Sequence, residues 1–476
     1  MRDILDSGIL FRDYETSGLN SFYDQILTSS AKRYSNGQIV DELYATARCE
    51  SHRLPSPFAL FINGVTSDEL ENGLPLNSLI QLDHDFNNKY SKDFICCYNS
   101  KFDFNFSYCS YFQQLVSPDI YQWKTKHQLL CCLEIIRAVY AFNLDSKIQF
   151  PLDLFASPNF SLERICAENG ITYSPHNAAE DVSALIQVFE MVKQDSPDLL
   201  RHAMMYSSKR AVQDLIQQND FFCAAIGTGE NMSARSLVPI AAFKQGSELI
   251  CLDVSQADPR KLSDLNSWEI SKQLKRNSID DLFVLVPLNK QKVLFGPEQY
   301  QACYSHSHIT IEELRERSHI AREDQDLIGV CKKAYELFEI THRTYLDGNL
   351  ELQIFDSFID HSEAKFIRQF NLLDWKDRWG FLQDNDFIES TSRCSRIARR
   401  LLIENFPSSV PNGIVESYDQ FCNRRLFNLE SNQKVKWVDI SRVLSELSEL
   451  RERFNDEELR LRELESYFDK RLAVSP

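Results

Sequence analysis

The chain has 476 residues, 43% of them hydrophobic, so it is long enough for about two to four domains. Its formal net charge of −17 argues against nonspecific binding of nucleic acid through a basic surface, although it does not exclude a nuclease. Because the sequence has no long apolar run, no signal-peptide pattern and no Cys-x-x-Cys among its 13 cysteines, we expect a cytoplasmic protein with reduced thiols and no membrane span.

The first part of the chain is predicted to begin with an antiparallel meander. An apolar run that turns into alternation predicts a strand over residues 9–16, followed by strands over 25–31 and 37–46. The Ser-Asn-Gly sequence at 35–37 predicts the turn between the last two. Two prolines and a glycine in residues 54–66 predict a loop with one short apolar segment.

Helices and one further strand are predicted to complete an α/β unit. Thr66 and Glu69 form a capping box, which predicts a helix start. A strand is predicted over residues 94–98, an aromatic-rich helix from after Asp103 to Phe112, and further helices over 128–142, 162–169 and 178–193. The pattern breaks at residues 194–198, where we expect a domain boundary.

The remainder is predicted to be first β-rich and then helical. Short apolar segments between about 220 and 300 predict a small barrel or an open sheet, because turn residues separate them. From about residue 310 the pattern is helical, apart from a strand signal near residue 353. The Glu-, Arg- and Leu-rich tail over 437–472 predicts a long amphipathic helix or a helical hairpin.

The first predicted strand carries Asp13 and Glu15, two residues apart. Side chains alternate along a strand, so both carboxylates lie on one face, roughly 6–7 Å apart. Unpaired, they would repel each other, and oxygen ligands of this kind suit Mg²⁺ or Mn²⁺. Taken alone, the pair also fits a strand end with two solvated acids.

Three further residues extend this pair into a candidate catalytic set. Asp181 lies on the apolar stripe of its predicted helix, where a lone charge is costly without a cation. His176 precedes that helix and is a candidate base, and Asp103 follows the strand over 94–98 in an Asn-x-x-Phe-Asp sequence. Together, four acids and a histidine describe a two-metal phosphodiester hydrolase.

The order of these motifs resembles that of DEDD-type 3′–5′ exonucleases of the histidine subgroup, and most closely the bacterial exonuclease I family. The resemblance is carried by Phe11-Arg12-Asp13-Tyr14-Glu15-Thr16, Leu54-Pro55-x-Pro57, Asn63-Gly64-Val65-Thr66, Tyr98-Asn99-x-x-Phe102-Asp103, Arg137-Ala138-x-Tyr140-Ala141 and Asn169-Gly170-Ile171 ahead of His176 and Asp181. It is strong over the first 195 residues and looser beyond them.

The resemblance implies an α/β fold with three domains: a ribonuclease H-like exonuclease domain (1–195), an SH3-like β-rich domain (196–345) and a helical C-terminal domain (346–476). It implies Mg²⁺-dependent removal of 5′-mononucleotides from the 3′ end of single-stranded DNA, in DNA repair, by a cytoplasmic bacterial monomer. Under it, Asp13, Glu15, Asp103 and Asp181 are metal ligands, with Mn²⁺ a plausible substitute, and His176 is the general base. Substrate contacts are assigned to Glu15, Tyr121, Trp123 and Ser161.

The chain departs from the family pattern at three positions. Ser161 stands where the family has an arginine near the scissile phosphate, and Cys131 stands where it has an aspartate. Asn143 replaces an arginine of the pocket for the acidic tail of single-strand DNA-binding protein, so we expect weakened binding of that partner. Two alternatives stay open: an RNA 3′–5′ exonuclease, and a nucleic-acid-binding scaffold with a residual nuclease site.

Overall fold

The computed structural model of the chain describes residues 3–117, 128–143, 145–153, 157–227, 229, 232–262, 266–276, 278, 280–288, 292–297, 309–342, 349–427, 435–454 and 456–473. None of the helices in these ranges has the length and apolar character needed to cross a bilayer. The cysteines within them are buried free thiols, as predicted for a reduced protein.

The first sheet has β1 at its centre. Its strands are β1 (Ile9–Thr16), β2 (Ile26–Ser35), β3 (Gln38–Thr46), β4 (Phe94–Cys97) and β5 (Gln128–Cys131). They lie in the order β3-β2-β1-β4-β5, with β1, β2 and β3 antiparallel and β4 and β5 parallel to β1. This is the ribonuclease H-like arrangement that the resemblance to the exonuclease I family implies. Asn36 and Gly37 have φ values of 53° and 78°, which suit the predicted two-residue hairpin turn.

The helices around this sheet correct two predictions. They are α1 (Pro57–Asn63), α2 (Ser67–Asn72), α3 (Leu76–Lys89), α4 (Ser100–Gln113), α5 (Cys132–Phe142), α6 (Leu162–Glu168), α7 (Ala178–Asp195), α8 (Pro197–Met205) and α9 (Lys209–Gln218). The loop predicted over residues 54–66 is wrong, because Ser56 caps α1, Pro57 begins it and Gly64 ends it. The helix predicted over 128–142 is also partly wrong, because its first four residues form β5.

The second sheet is antiparallel and open within the described residues, one of the two forms predicted. Its strands are β6 (Phe222–Ile226), β7 (Ser233–Phe243), β8 (Glu248–Asp253), β9 (Phe283–Pro287) and β10 (Leu294–Phe295), in the order β10-β6-β7-β8-β9. Helix α10 (Ser267–Arg276) lies between β8 and β9 in the chain.

The C-terminal part is helical, as predicted. Its helices are α11 (Ile311–Glu323), α12 (Gln325–His342), α13 (His361–Asn371), α14 (Trp375–Asp384), α15 (Arg393–Asn405), α16 (Asn412–Phe427), α17 (Ile440–Arg453) and α18 (Glu458–Ala473). The strand signal near residue 353 was wrong, because Leu350–Phe355 is a 3₁₀ helix. In the tail, the hairpin alternative is confirmed by α17 and α18.

The two faces of the first sheet are buried against different parts of the chain. Phe11 belongs to an apolar core that continues to Val238 of the second sheet. Leu10, on the opposite face, shares a core with Leu401 of α15. The division into residues 1–195, 196–345 and 346–476 stays a prediction, because apolar cores join all three parts.

Candidate active site

β1 presents Asp13 and Glu15 at an open edge of the sheet. Both are half-buried and lie on one face, whereas Arg12 and Tyr14 are buried on the other. The pairing of β4 with β1 ends at Phe11, so among the described residues no strand pairs with this side of β1 beyond Phe11. The two carboxylates therefore reach the space that β4 leaves open.

Asp103 comes to the same place from the first turn of α4. Its side chain is buried and its carboxylate accepts hydrogen bonds from the backbone N–H groups of Tyr14 and of Asp103 itself. The positive end of the helix dipole favours a carboxylate at this position. Its Oδ1 atom has no hydrogen-bond partner within the described residues.

Asp181 and His176 come from the start of α7 and the loop before it. The Asp181 carboxylate accepts hydrogen bonds from the backbone N–H groups of His176 and Asn177 and from the Tyr173 hydroxyl. His176 has a left-handed φ of 66°, an uncommon conformation for a residue with a side chain, and it is exposed. This backbone turn brings His176 and Asp181 together.

The acids form a cluster suited to a divalent cation. One oxygen each from Asp13, Glu15 and Asp181 lie within 4.8 Å of one another. Glu15 Oε1, like Asp103 Oδ1, is buried without a hydrogen-bond donor in the part of the chain that the structure describes. Because unpaired buried carboxylate oxygens are costly, and hard oxygen ligands suit Mg²⁺ or Mn²⁺, the donor set fits such an ion.

Burial raises the pKa values of all four acids, and repulsion from neighbouring carboxylates raises those of Asp13 and Glu15 further. Burial is the largest cause in each case: it raises the pKa of Glu15 to about 8, of Asp103 to about 7 and of Asp181 to about 6. The pKa of Asp13 is raised well above its ordinary value by burial and then by the charges of Asp103, Glu15 and Asp181. A bound cation would oppose these shifts, since it favours the charged carboxylates.

A buried polar network supports β1 from behind. The Arg12 guanidinium pairs with Asp83 and donates to Asn87 Oδ1 at 3.0 Å, and the Tyr14 hydroxyl donates to Asp83 Oδ2 at 2.9 Å. The charge of Arg12 also lowers the pKa of Asp103, opposing the effect of burial. The sequence analysis missed this network, although strand alternation alone places Arg12 on the buried face.

The predicted residues line one cavity of about 290 Å³. Its walls include Asp13, Glu15, Asp103, Ser161, His176 and Asp181. A second cavity of about 520 Å³ shares Tyr98, Asn99, Ser161 and Leu162 with it. The two cavities together offer a path that leads away from the acids.

The side chains at the three positions that depart from the family pattern make contacts with nearby residues. The Ser161 hydroxyl caps α6 by accepting from the Arg164 N–H at 3.4 Å, so the side chain supplies no positive charge. Cys131 is buried, with Sγ 3.5 Å from the carbonyl oxygen of Tyr98. Asn143 Nδ2 donates to Ser196 Oγ at 2.7 Å.

Two predicted substrate residues cannot be placed. Tyr121 and Trp123 lie outside the described residues. Conversely, the sequence analysis missed Tyr173, whose hydroxyl donates to Asp181. Its position in the loop that carries His176 was the available signal.

The comparisons with known proteins agree with this geometry. No protein-family model matches the chain. Exodeoxyribonuclease I of Buchnera aphidicola from Schizaphis graminum is 24% identical over 453 residues, which cover 90% of this chain and 89% of the relative. The Escherichia coli exonuclease I structure in complex with a dT13 oligonucleotide has a TM-score of 0.81 at 20% identity, over 98% of this chain and 99% of that one.

The chain has the exonuclease I fold. An exonuclease I structure in complex with SSB-Ct matches at a TM-score of 0.79 and 19% identity, over 98% of both chains. The resemblance to exonuclease I inferred from the motifs is therefore confirmed, and it extends well beyond the first 195 residues. The aligned region includes the second sheet and the C-terminal helices.

Proposed function

We propose that the chain is a single-strand-specific 3′–5′ exodeoxyribonuclease that releases 5′-mononucleotides by metal-dependent phosphodiester hydrolysis. The observation that carries this proposal is the convergence of Asp13, Glu15, Asp103, Asp181 and His176 on one cavity, from three separate segments of the chain. The relative over 90% of the chain is an exodeoxyribonuclease I, and a neighbour of the same fold was solved with a DNA oligonucleotide.

In this proposal the four acids hold two Mg²⁺ ions, for which Mn²⁺ can substitute. Such ions activate a water for attack and stabilise the departing 3′ oxygen. Asp13, Glu15 and Asp181, of which one oxygen each lie within 4.8 Å of one another, would hold the metal together with Asp103. Tyr173 fixes the carboxylate of Asp181 by donating its hydroxyl hydrogen.

His176 is the proposed general base. It is exposed at the wall of the cavity, one turn before Asp181, where an imidazole can take a proton from water and release it to solvent. Glu15 also contacts the terminal nucleotide in this proposal, and Ser161 lies on the path of the strand. Tyr121 and Trp123 remain proposed stacking residues, with base stacking worth roughly 1–3 kcal/mol each.

The cellular setting belongs to the same proposal. We infer action in DNA repair in a bacterial cytoplasm, as a monomer. Binding of the tail of single-strand DNA-binding protein is inferred from the neighbour solved with SSB-Ct. We expect that binding to be weakened, because Asn143 donates to Ser196 and lies next to the acidic Asp195, which accepts from it at 3.4 Å.

A 5′-labelled single-stranded DNA oligomer with Mg²⁺ or with EDTA tests the activity. Asp181→Asn is the test variant, and Glu168→Gln, on the exposed end of α6, is the matched control. We expect a Mg²⁺-dependent ladder that shortens from the 3′ end, is lost in Asp181→Asn and is kept in Glu168→Gln. Preferred cleavage of matching RNA would move the protein to the RNA exonucleases, and DNA binding without cleavage would favour the scaffold alternative.

A further inference from the structure

The cavity that contains the acids has an unbalanced charge. Five carboxylates line it, and no lysine or arginine is among the described residues of its wall: the five are Asp13, Glu15, Asp103, Glu163 and Asp181. Ser161, on the same wall, supplies no positive charge. The proposed Mg²⁺ ions would offset most of the carboxylate charge, but the described wall has no lysine or arginine to hold a phosphate of the strand.

The nearest cation in the adjoining cavity is already paired. Arg137 lines that cavity, and its Nη1 donates to Glu134 Oε1 at 2.8 Å. Lys292 also binds Glu134, at 2.9 Å, so this group of charges links α5 to the segment between β9 and β10. Neither side chain borders the acids directly.

Arg460, from the C-terminal helix α18, reaches the loop that carries His176. The point where a Cβ atom of Gly64 would lie is 3.5 Å from Arg460 Nη2 and 4.0 Å from the carbonyl oxygen of His176. The guanidinium carbon lies 4.7 Å from the ring centroid of Phe61 in α1, which holds the side chain against the exonuclease part. A charge from the last helix and the backbone of the loop that carries His176 therefore border the same point at Gly64.

The charge of Arg460 is available to a ligand. Its ion pair is with Glu457 at 3.5 Å, and the two side chains are 38% and 43% exposed. Exposed pairs of this kind contribute little, and Nη2 donates to no acceptor within the described ranges. Gly64 leaves the gap open, because it has no side chain and ends α1 with a φ of 65°.

We propose that Arg460 binds a phosphate at the 3′ end of the single strand, so that the C-terminal helix completes the substrate site beside His176. This inference rests on the proposed function. Arg460 is then a substrate-positioning residue that supplies positive charge next to a wall whose described residues include no lysine or arginine. Arginine suits the role because its planar guanidinium donates two parallel hydrogen bonds to a phosphate.

The test compares three variants. Arg460→Gln removes the charge, Arg460→Lys keeps it, and Arg462→Gln is the matched control two residues along the same helix. Arg462 pairs with Glu458 on the exposed surface of α18. Thermal melts confirm that each variant is folded. Binding of a fluorescent oligothymidylate is measured in EDTA, where hydrolysis is blocked, over a series of salt concentrations; KM and kcat are measured with Mg²⁺.

For Arg460→Gln we expect about tenfold weaker binding at low salt, the effect of losing one charge-assisted hydrogen-bonded contact. The slope of log K against log salt should fall by about 0.7, the contribution of one phosphate contact on a single strand. KM should rise with kcat changed less than about twofold. Arg460→Lys keeps the charge but not the paired hydrogen bonds, so it should restore the salt slope and only part of the affinity, and Arg462→Gln should match the wild type. A purely structural role would leave the salt slope unchanged.

An unchanged affinity and salt slope in Arg460→Gln would overturn the inference, as would an equal loss in Arg462→Gln. Because binding is measured without hydrolysis, this result is separate from the proposed activity. If the wild type binds DNA but does not cleave it, the proposed function fails while the role of Arg460 is still decided by the salt slope.

Discussion

The protein without bound metal is expected to lose stability as the pH rises from about 4 to about 8. Glu15 and Asp103 have pKa values raised to about 8 and about 7, mainly by burial. Between its unfolded and folded pKa values, such a carboxyl group is protonated in the folded state and ionised in the unfolded state. Unfolding therefore releases protons, and a rise in pH favours it.

Asp103 alone gives the scale of this effect. Its side chain is 3% exposed, and its pKa rises from an ordinary 3.8 to about 7. A difference of about three pKa units corresponds to about 4 kcal/mol of unfolding free energy lost across the window. The four acids repel one another, so their effects do not add, and the single-group value is the one to test.

Urea denaturation at pH 5.5 and pH 8, in EDTA or in Mg²⁺, measures the effect. In EDTA the free energy of unfolding of the wild type should fall by at least about 2 kcal/mol between these values, which is the part of the Asp103 window above pH 5.5, whereas Asp103→Asn should be less sensitive to pH by about that amount. Mg²⁺ should restore about 3 kcal/mol at one hundred times its Kd in the wild type, and less in the variant. The control Glu168→Gln should follow the wild type. Equal stability of the wild type at both pH values in EDTA would refute the reasoning.

Three further predictions concern the residues around the acids. Tyr173→Phe removes the hydroxyl donor to Asp181. Because a hydrogen bond to a charge is worth about 1.5–3 kcal/mol, this variant should need about ten times more Mg²⁺ for half-maximal activity. An unchanged Mg²⁺ titration would contradict this prediction. Asp83→Ala leaves Arg12 buried without its partner and should cost about 3–5 kcal/mol in urea unfolding; a cost below 1 kcal/mol, as for a surface residue, would contradict it. Gly64→Ala places a methyl group at a left-handed position and should cost about 1 kcal/mol; equal or greater stability would show that the turn tolerates a side chain.

Local sequence patterns predicted β1 and α7 because their signals lie within the elements themselves. Alternation on β1 set the shared face of Asp13 and Glu15, and the apolar stripe of α7 indicated that Asp181 turns inward. The meeting of these residues depends on a parallel sheet order that links segments more than eighty residues apart. The order of the motifs therefore predicted which residues form the site, whereas the positions of these residues relative to one another became known only from the fold.

Two of the wrong predictions, at α1 and at β5, have different physical reasons. At α1, Ser56, Pro57 and Gly64 are residues that break a pattern in isolation but cap, begin and end a helix when six residues lie between the proline and the glycine. At β5, the three apolar residues after Gln128 fit a helical spacing equally well, and the strand is decided by its pairing with β4, where Cys97 lies opposite Cys131. Such pairing joins segments that are distant in the sequence, so the sequence of β5 alone does not show it.

The acidic composition constrains how this chain can bind DNA. Several of its arginines are buried and bonded within the protein. Arg235 donates to the carbonyl oxygens of Asp281 and Ser278, and Arg425 pairs with Glu351 in a buried site. Those side chains cannot contact phosphates, so the exposed surface is poorer in positive charge than the total of 52 lysines and arginines suggests. Affinity for a single strand must then come from a few placed cations and from stacking, which predicts a shallow dependence on salt. With so few contacts, the loss of one cation such as Arg460 removes a large share of the electrostatic binding.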